Sequence, residues 1–145
     1  LEDHYSFGQP VLAPADGEVV ILTADMPDNA PGTPPRPRDL RDDPRRSFGN
    51  ALFIAHNDTE FSFLAHLQAG SISVPTGATV TRGQMIARCG NSGLSPGPHL
   101  HYHLQNGPNL YVDQGVPVQF SQFRVTGDLV ERSAIPTRLI VTPAD

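Results

Sequence analysis

The chain has 145 residues, 38% of them hydrophobic and 17% charged, with 13 glycines, 15 prolines and a formal charge of −5. A single domain over 1–145 is the expectation at this length, and a chain so rich in Pro and Gly suits short strands joined by turns better than long helices. Every one of its ten cationic residues is arginine, and a net-acidic chain without a basic stripe argues against nucleic acid or anionic lipid as a partner.

No apolar run is long enough to span a bilayer, and no signal peptide is visible. The chain opens inside what reads as an ordered segment, so a fragment or a mature form is expected. Glu2 to Pro10 reads as a loop, in which Asp3 and His4 form a pair that could ligate a metal, although loops supply such pairs by chance. Val11-Leu12-Ala13-Pro14, the Ala15-Asp16-Gly17 turn and the β-branched run Glu18 to Leu22 predict a first hairpin.

Between about 24 and 48 the composition changes. Six prolines alternate with Arg and Asp and there is almost nothing apolar, which predicts a long, solvated surface loop with polyproline-like stretches. Order returns with Ala51 to His56, an Asn57-Asp58 turn and Glu60 to Leu67, a second hairpin. His56 is read as packing against its turn, and His66, taken alone, as a satisfied core or edge histidine. Ser71 to Ala87 reads as a compact meander with tight turns at Gly77 and Gly83. The single Cys89 excludes an internal disulfide and is read as a small buried strand residue. Beyond Gln105-Asn106-Gly107-Pro108, the segment of about 108–145 reads as an extension with extra strands, including Leu139-Ile140-Val141.

The most informative stretch is Gly90 to Leu104. A Gly/Ser/Pro turn runs into a segment in which His alternates with apolar or aromatic residues, the period of a strand whose two faces differ. His99, His101 and His103 then share one face and Leu100, Tyr102 and Leu104 the other. At about 6.6 Å between next-nearest residues, His99 and His103 lie too far apart to share one zinc ion. His101 and one neighbour could share one, or one imidazole could hold a metal while the next works on a substrate. Rings that merely solvate the sheet or bond to the backbone are the plainer alternative.

Several of these segments together resemble the M23 peptidases, the lysostaphin- or LytM-type zinc endopeptidases that cut peptidoglycan cross-links. The resemblance is carried by Pro10 to Gly17, by Gly49-Asn50 with the strands up to Ala65-His66-Leu67, by Val74 to Gln84, by Gly90-Asn91-Ser92-Gly93 and by Gly97-Pro98-His99-Leu100-His101. It spans roughly residues 7 to 107. It implies an all-β, antiparallel sheet or sandwich of the LytM type with short meander hairpins and long loops, a groove across the sheet, and Zn2+ at the groove floor. It implies that His101 is a metal ligand and that His66 and His99 are catalytic, one imidazole exchanging protons with zinc-bound water and another hydrogen-bonding the developing oxyanion. His103, Asn91 and Ser92 are then expected along the substrate groove or beside the ligands. The implied partner is a peptidoglycan peptide, and the implied location the bacterial cell envelope, periplasmic or extracellular.

The family's other two zinc ligands come from a His-x-x-x-Asp motif before the first hairpin, and this chain has none there. The motif is expected upstream of Leu1. Substitution by Asp3 and His4, whose spacing is wrong, and a degenerate member that binds cell-wall peptide or a partner without cutting are the alternatives. The hairpins of Val74 to Ala87 also resemble biotinyl and lipoyl carriers, but a carrier attaches its cofactor to lysine, and this chain has no lysine.

Overall fold

A computed structural model describes residues 1–33, 43–135 and 141–144. Contacts divide the chain into two units, Leu1–Gly115 and Val116–Asp145. In the first, strands β1 (Pro10–Leu12), β2 (Gly17–Thr23), β3 (Asn50–Asn57), β4 (Glu60–Leu67), β5 (Thr79–Val80), β6 (Met85–Arg88) and β7 (His101–Gln105) are joined by turns. A further pair of strand residues, β8 (Gly115–Val116), falls at the boundary between the units. The fold is all-β and antiparallel, as the resemblance implied, and no α-helix occurs among the described residues.

The main sheet runs β5-β2-β3-β4-β7, and β1 pairs with β6 as a separate ribbon. Alternation along β3 and β4 gives the sheet two different faces. Leu52, Ile54 and Leu64 point to one side, where they meet Val11, Ile86 and Ala87 of the ribbon, with Ala13 and Cys89 at its ends, in the principal core. Ala51, Phe53, Phe63 and Ala65 point to the other side, in a smaller aromatic cluster joined by Phe48 and Leu110. The register pairs Phe63 with His103 and Ala65 with His101. Residues directly opposite share a face, so both imidazoles stand on the aromatic side. The expected burial of Cys89 is observed.

The segment of about 24–48 is more than a solvated loop. Met26 is buried, and the Asn50 amide binds it on both sides, accepting from Met26 N at 2.9 Å and donating to Met26 O at 2.8 Å. Asp28 accepts from Asn91 N at 2.6 Å and from Ala69 N at 2.9 Å. Two short polar side chains, those of Asn50 and Asp28, therefore anchor a segment that has hardly any apolar residues. Pro44–Phe48 forms a 3-10 helix capped by the Asp43 side chain, which supplies Phe48 to the aromatic face. Residues 34–42, at the centre of this segment, lie outside the described residues, as does Leu139-Ile140 of the expected tail strand.

The second unit holds a three-stranded antiparallel sheet in the order β10 (Asp128–Ser133), β9 (Phe120–Val125), β11 (Val141–Pro143), with Phe123 buried.

Candidate functional site

The site is built by one irregularity in β4. Between the Asn50–Leu67 and Leu52–Leu64 pairs, β3 advances two residues while β4 advances three. The extra residue is accommodated at His66, whose φ is +58°. Alternation would have put His66 on the core side with Ser62 and Leu64. The bulge reverses the parity, so Leu67 enters the core and the His66 ring turns toward the imidazoles on the aromatic face. Bulges of this kind re-aim a single side chain. A left-handed conformation costs a non-glycine residue about 1–2 kcal/mol, although His tolerates it better than most.

The result is a cluster of four imidazoles. The His66 ring centre lies 4.7 Å from that of His99 and 5.9 Å from that of His101, and the His101 and His103 rings are 5.2 Å apart. The strand starts at His101 rather than His99, because the turn continues through Pro98. His99 is therefore placed by its loop and not by alternation, and it still reaches His66.

Backbone carbonyls fix two of the tautomers. A carbonyl oxygen can only accept, so the 2.8 Å contact of His66 Nδ1 with Ser92 O makes Nδ1 the donor and leaves the lone pair on Nε2. The 2.9 Å contact of His99 Nδ1 with Gly97 O does the same for His99. Burial, opposed by the Ser92 hydrogen bond and assisted by the neighbouring imidazoles, pushes His66 down to about 4. Burial and the adjacent His103 and His99 also lower His101. Near neutral pH both of these rings are thus uncharged, with lone pairs available as bases or metal donors.

Asn91 and Ser92, expected along the groove, have fully buried side chains. Ser92 Oγ donates to Leu67 O at 2.7 Å and accepts from Asn50 N at 2.9 Å. Asn91 donates to Asn29 O at 2.8 Å and accepts from Ser95 Oγ at 2.7 Å. Both build the loop that aims His66 and His99 and present nothing to a ligand. Gly93, at φ +72°, packs so tightly on the Gly49 backbone that a Cβ there would collide with it, so this Asn-Ser-Gly turn is fixed in one geometry. His56, expected to pack against the Asn57-Asp58 turn, instead bonds to Asp16 O and Ser62 Oγ, both at 2.7 Å.

Next to the imidazoles lies a cavity of about 390 Å³ walled by Phe48, Phe53, Phe63, Leu110 and Tyr111, with Arg45 at its rim. Phe48 and Phe63 form this wall and also meet the His101 ring edge-on, at 6.0 and 5.8 Å. Arg45 is held by Asp43 through two hydrogen bonds of 2.9 and 3.0 Å. The cavity is therefore an apolar recess, and Arg45 beside it already has a partner in Asp43. The sequence reading missed it because its walls come from four separate segments.

A catalytic zinc ion takes three protein ligands and an open position. Among the described residues no group of three or more His, Cys, Asp or Glu is placed to hold a metal. Asp3 and His4 are exposed and join no such group. The donor set on these residues is thus partial.

An antiparallel sheet that gathers four imidazoles on one face, beside an apolar recess, marks this as the candidate site of the chain. The chain belongs to peptidase family M23, whose family model matches residues 4–119. It is 35% identical over 97 residues to the peptidoglycan DD-endopeptidase ShyA of Vibrio cholerae, an alignment covering 67% of this chain and 17% of that protein. It therefore spans about a sixth of that relative's length. A zinc-containing peptidase from Vibrio cholerae is 31% identical, with a TM-score of 0.50 over 68% of this chain and 24% of that one. The catalytic domain of the prophage-encoded M23 protein EnpA from Enterococcus faecalis shares the fold, with a TM-score of 0.55 at 23% identity over 77% of this chain and 68% of that one.

Proposed function

We propose that this chain is the catalytic part of a zinc-dependent endopeptidase that hydrolyses peptide cross-links of bacterial peptidoglycan, working in the cell envelope or outside the cell. The observation that carries this reading is the convergence of the His66, His99 and His101 rings, which for His66 is reached through a bulge in β4. Family membership and the named activity of ShyA support the substrate class.

In this reading His101 is one metal ligand, and the remaining two come from residues other than those described. Zinc, when bound, acidifies a water and polarises a carbonyl. His66 and His99 each offer an Nε2 lone pair held in place by a backbone carbonyl, and they accept and return protons at those atoms. The aromatic recess beside His101 takes an apolar side chain of the peptide and positions the scissile bond. No helix among the described residues is long and apolar enough to cross a membrane.

The test uses the intact gene product, with metal analysis and cleavage of cross-linked muropeptides. One tightly bound zinc per chain and peptide cleavage are expected, and His101→Ala should remove both. An intact protein that stays metal-free and binds cell wall without cutting it would overturn the enzyme reading.

A further inference from the structure

The intact His101–His103 pair continues into a hydrogen-bonded line along β7 that the catalytic reading does not use. His101 Nε2 lies 3.0 Å from His103 Nδ1, His103 Nε2 lies 2.7 Å from Gln105 Oε1, and Gln105 Nε2 donates to Gly107 O at 2.5 Å. Gln105 is 3% exposed, so its amide has no water to turn toward. The carbonyl at the end is itself held. Asn106 N donates to Gln114 O at 3.0 Å, Gln114 N donates to Asn106 Oδ1 at 2.8 Å, and Gly107 packs directly on Asp113.

The polarity of this line has one solution when both rings are neutral. The Gly107 carbonyl only accepts, so the Gln105 amide must turn its NH2 toward it and its oxygen toward His103. That oxygen also only accepts, so His103 carries its proton on Nε2 and its lone pair on Nδ1. His101 must then donate from Nε2, and its own lone pair is left on Nδ1. We infer that Gln105 and His103 are positioning residues that read the direction of the Gly107 carbonyl and fix the tautomer of His101, reserving Nδ1 as its donor atom.

The device differs from those at His66 and His99. Those rings rest directly on carbonyls through Nδ1 and expose Nε2, whereas His101 is set two side chains away and exposes the opposite nitrogen. A histidine ligand is commonly oriented by a hydrogen bond at its other nitrogen, and an uncharged acceptor line does this without placing a carboxylate in the site. Only the consequence for metal binding rests on the function proposed above; the tautomer does not.

The experiment is long-range proton–nitrogen correlation NMR on the intact protein with ¹⁵N-labelled histidine, at about pH 8 in a chelator. His101 and His103 should each show a protonated, pyrrole-type Nε2 and a pyridine-type Nδ1, with a coupling across the bond between His101 Nε2 and His103 Nδ1. A pyrrole-type Nδ1 on His101, or averaged shifts on both of its nitrogens, overturns the inference without any variant. Gln105→Leu should bring the His103 and His101 shifts toward tautomer averaging and weaken zinc binding about 10–100-fold. Equal zinc affinity in the wild type and Gln105→Leu would also count against it. A protein with the expected shifts that binds no zinc at all would sink the proposed function and leave the tautomer assignment standing.

Discussion

Acidification should test the burial of His66 directly. In the folded chain burial holds this imidazole neutral until about pH 4, whereas an unfolded histidine takes up its proton near 6.5. Between those values the unfolded state binds more protons, so stability rises with pH there. The contribution is fully present above about 6.5 and is lost as pH falls toward 4. A difference of about 2.5 units at about 1.4 kcal/mol each sets a ceiling of about 3.5 kcal/mol, and residual solvation of the ring brings the working figure to about 2 kcal/mol. The assay is urea unfolding in a chelator at about pH 7.5 and about pH 4.5, for the wild type and for His66→Asn. Asn tolerates the left-handed backbone and can still donate to Ser92 O. Carboxylates titrate alike in both proteins, so the stability difference between them isolates the imidazole. That difference should move by about 2 kcal/mol, or about 1 M in urea midpoint. Parallel pH dependence in the two proteins would show that the ring is not desolvated, and the account of an uncharged His66 would fail with it.

The backbone at the bulge makes a second, independent prediction. His66→Gly should be more stable than His66→Ala by about 0.5–1 kcal/mol, because relief of the +58° φ outweighs the extra entropy of unfolded glycine; thermal melts of the two variants decide it, and the opposite order would refute a strained bulge. Ser92→Ala removes one buried donor and one buried acceptor at once, so a loss of about 2–3 kcal/mol is expected in chemical denaturation. Tyr111→Ala opens an exposed wall of the recess (Tyr111 is 62% exposed). It should leave stability within about 0.5 kcal/mol while raising KM for an apolar peptide more than it lowers kcat, and unchanged kinetics would remove the recess from the substrate path.

The contrast between His101 and His66 shows what local sequence can and cannot reveal. His101 and His103 were legible because a two-residue period in a regular strand puts them on one face wherever the strand lies, and Phe63 and Ala65 across the register confirm which face that is. His66 sits in an equally regular-looking run, Phe61-Ser62-Phe63-Leu64-Ala65-His66-Leu67. The same rule assigns its ring to the core side, because a bulge leaves no mark in residue types when the extra residue is not glycine. Only the like motif in M23 peptidases pointed to His66 as catalytic. The Asn91-Ser92 turn failed in the opposite direction. Polar residues in a Gly-rich loop read as groove lining, yet the bulge needs a buried partner for Ser92 O and the insertion needs one for Asn29, so these side chains turn inward. What escaped the sequence reading is thus the set of long-range polar contacts that one reversed residue demands. The bulge brings the His66 ring to the imidazole cluster, and the contacts of Ser92, Asn91, Asn50 and Asp28 hold that arrangement in place.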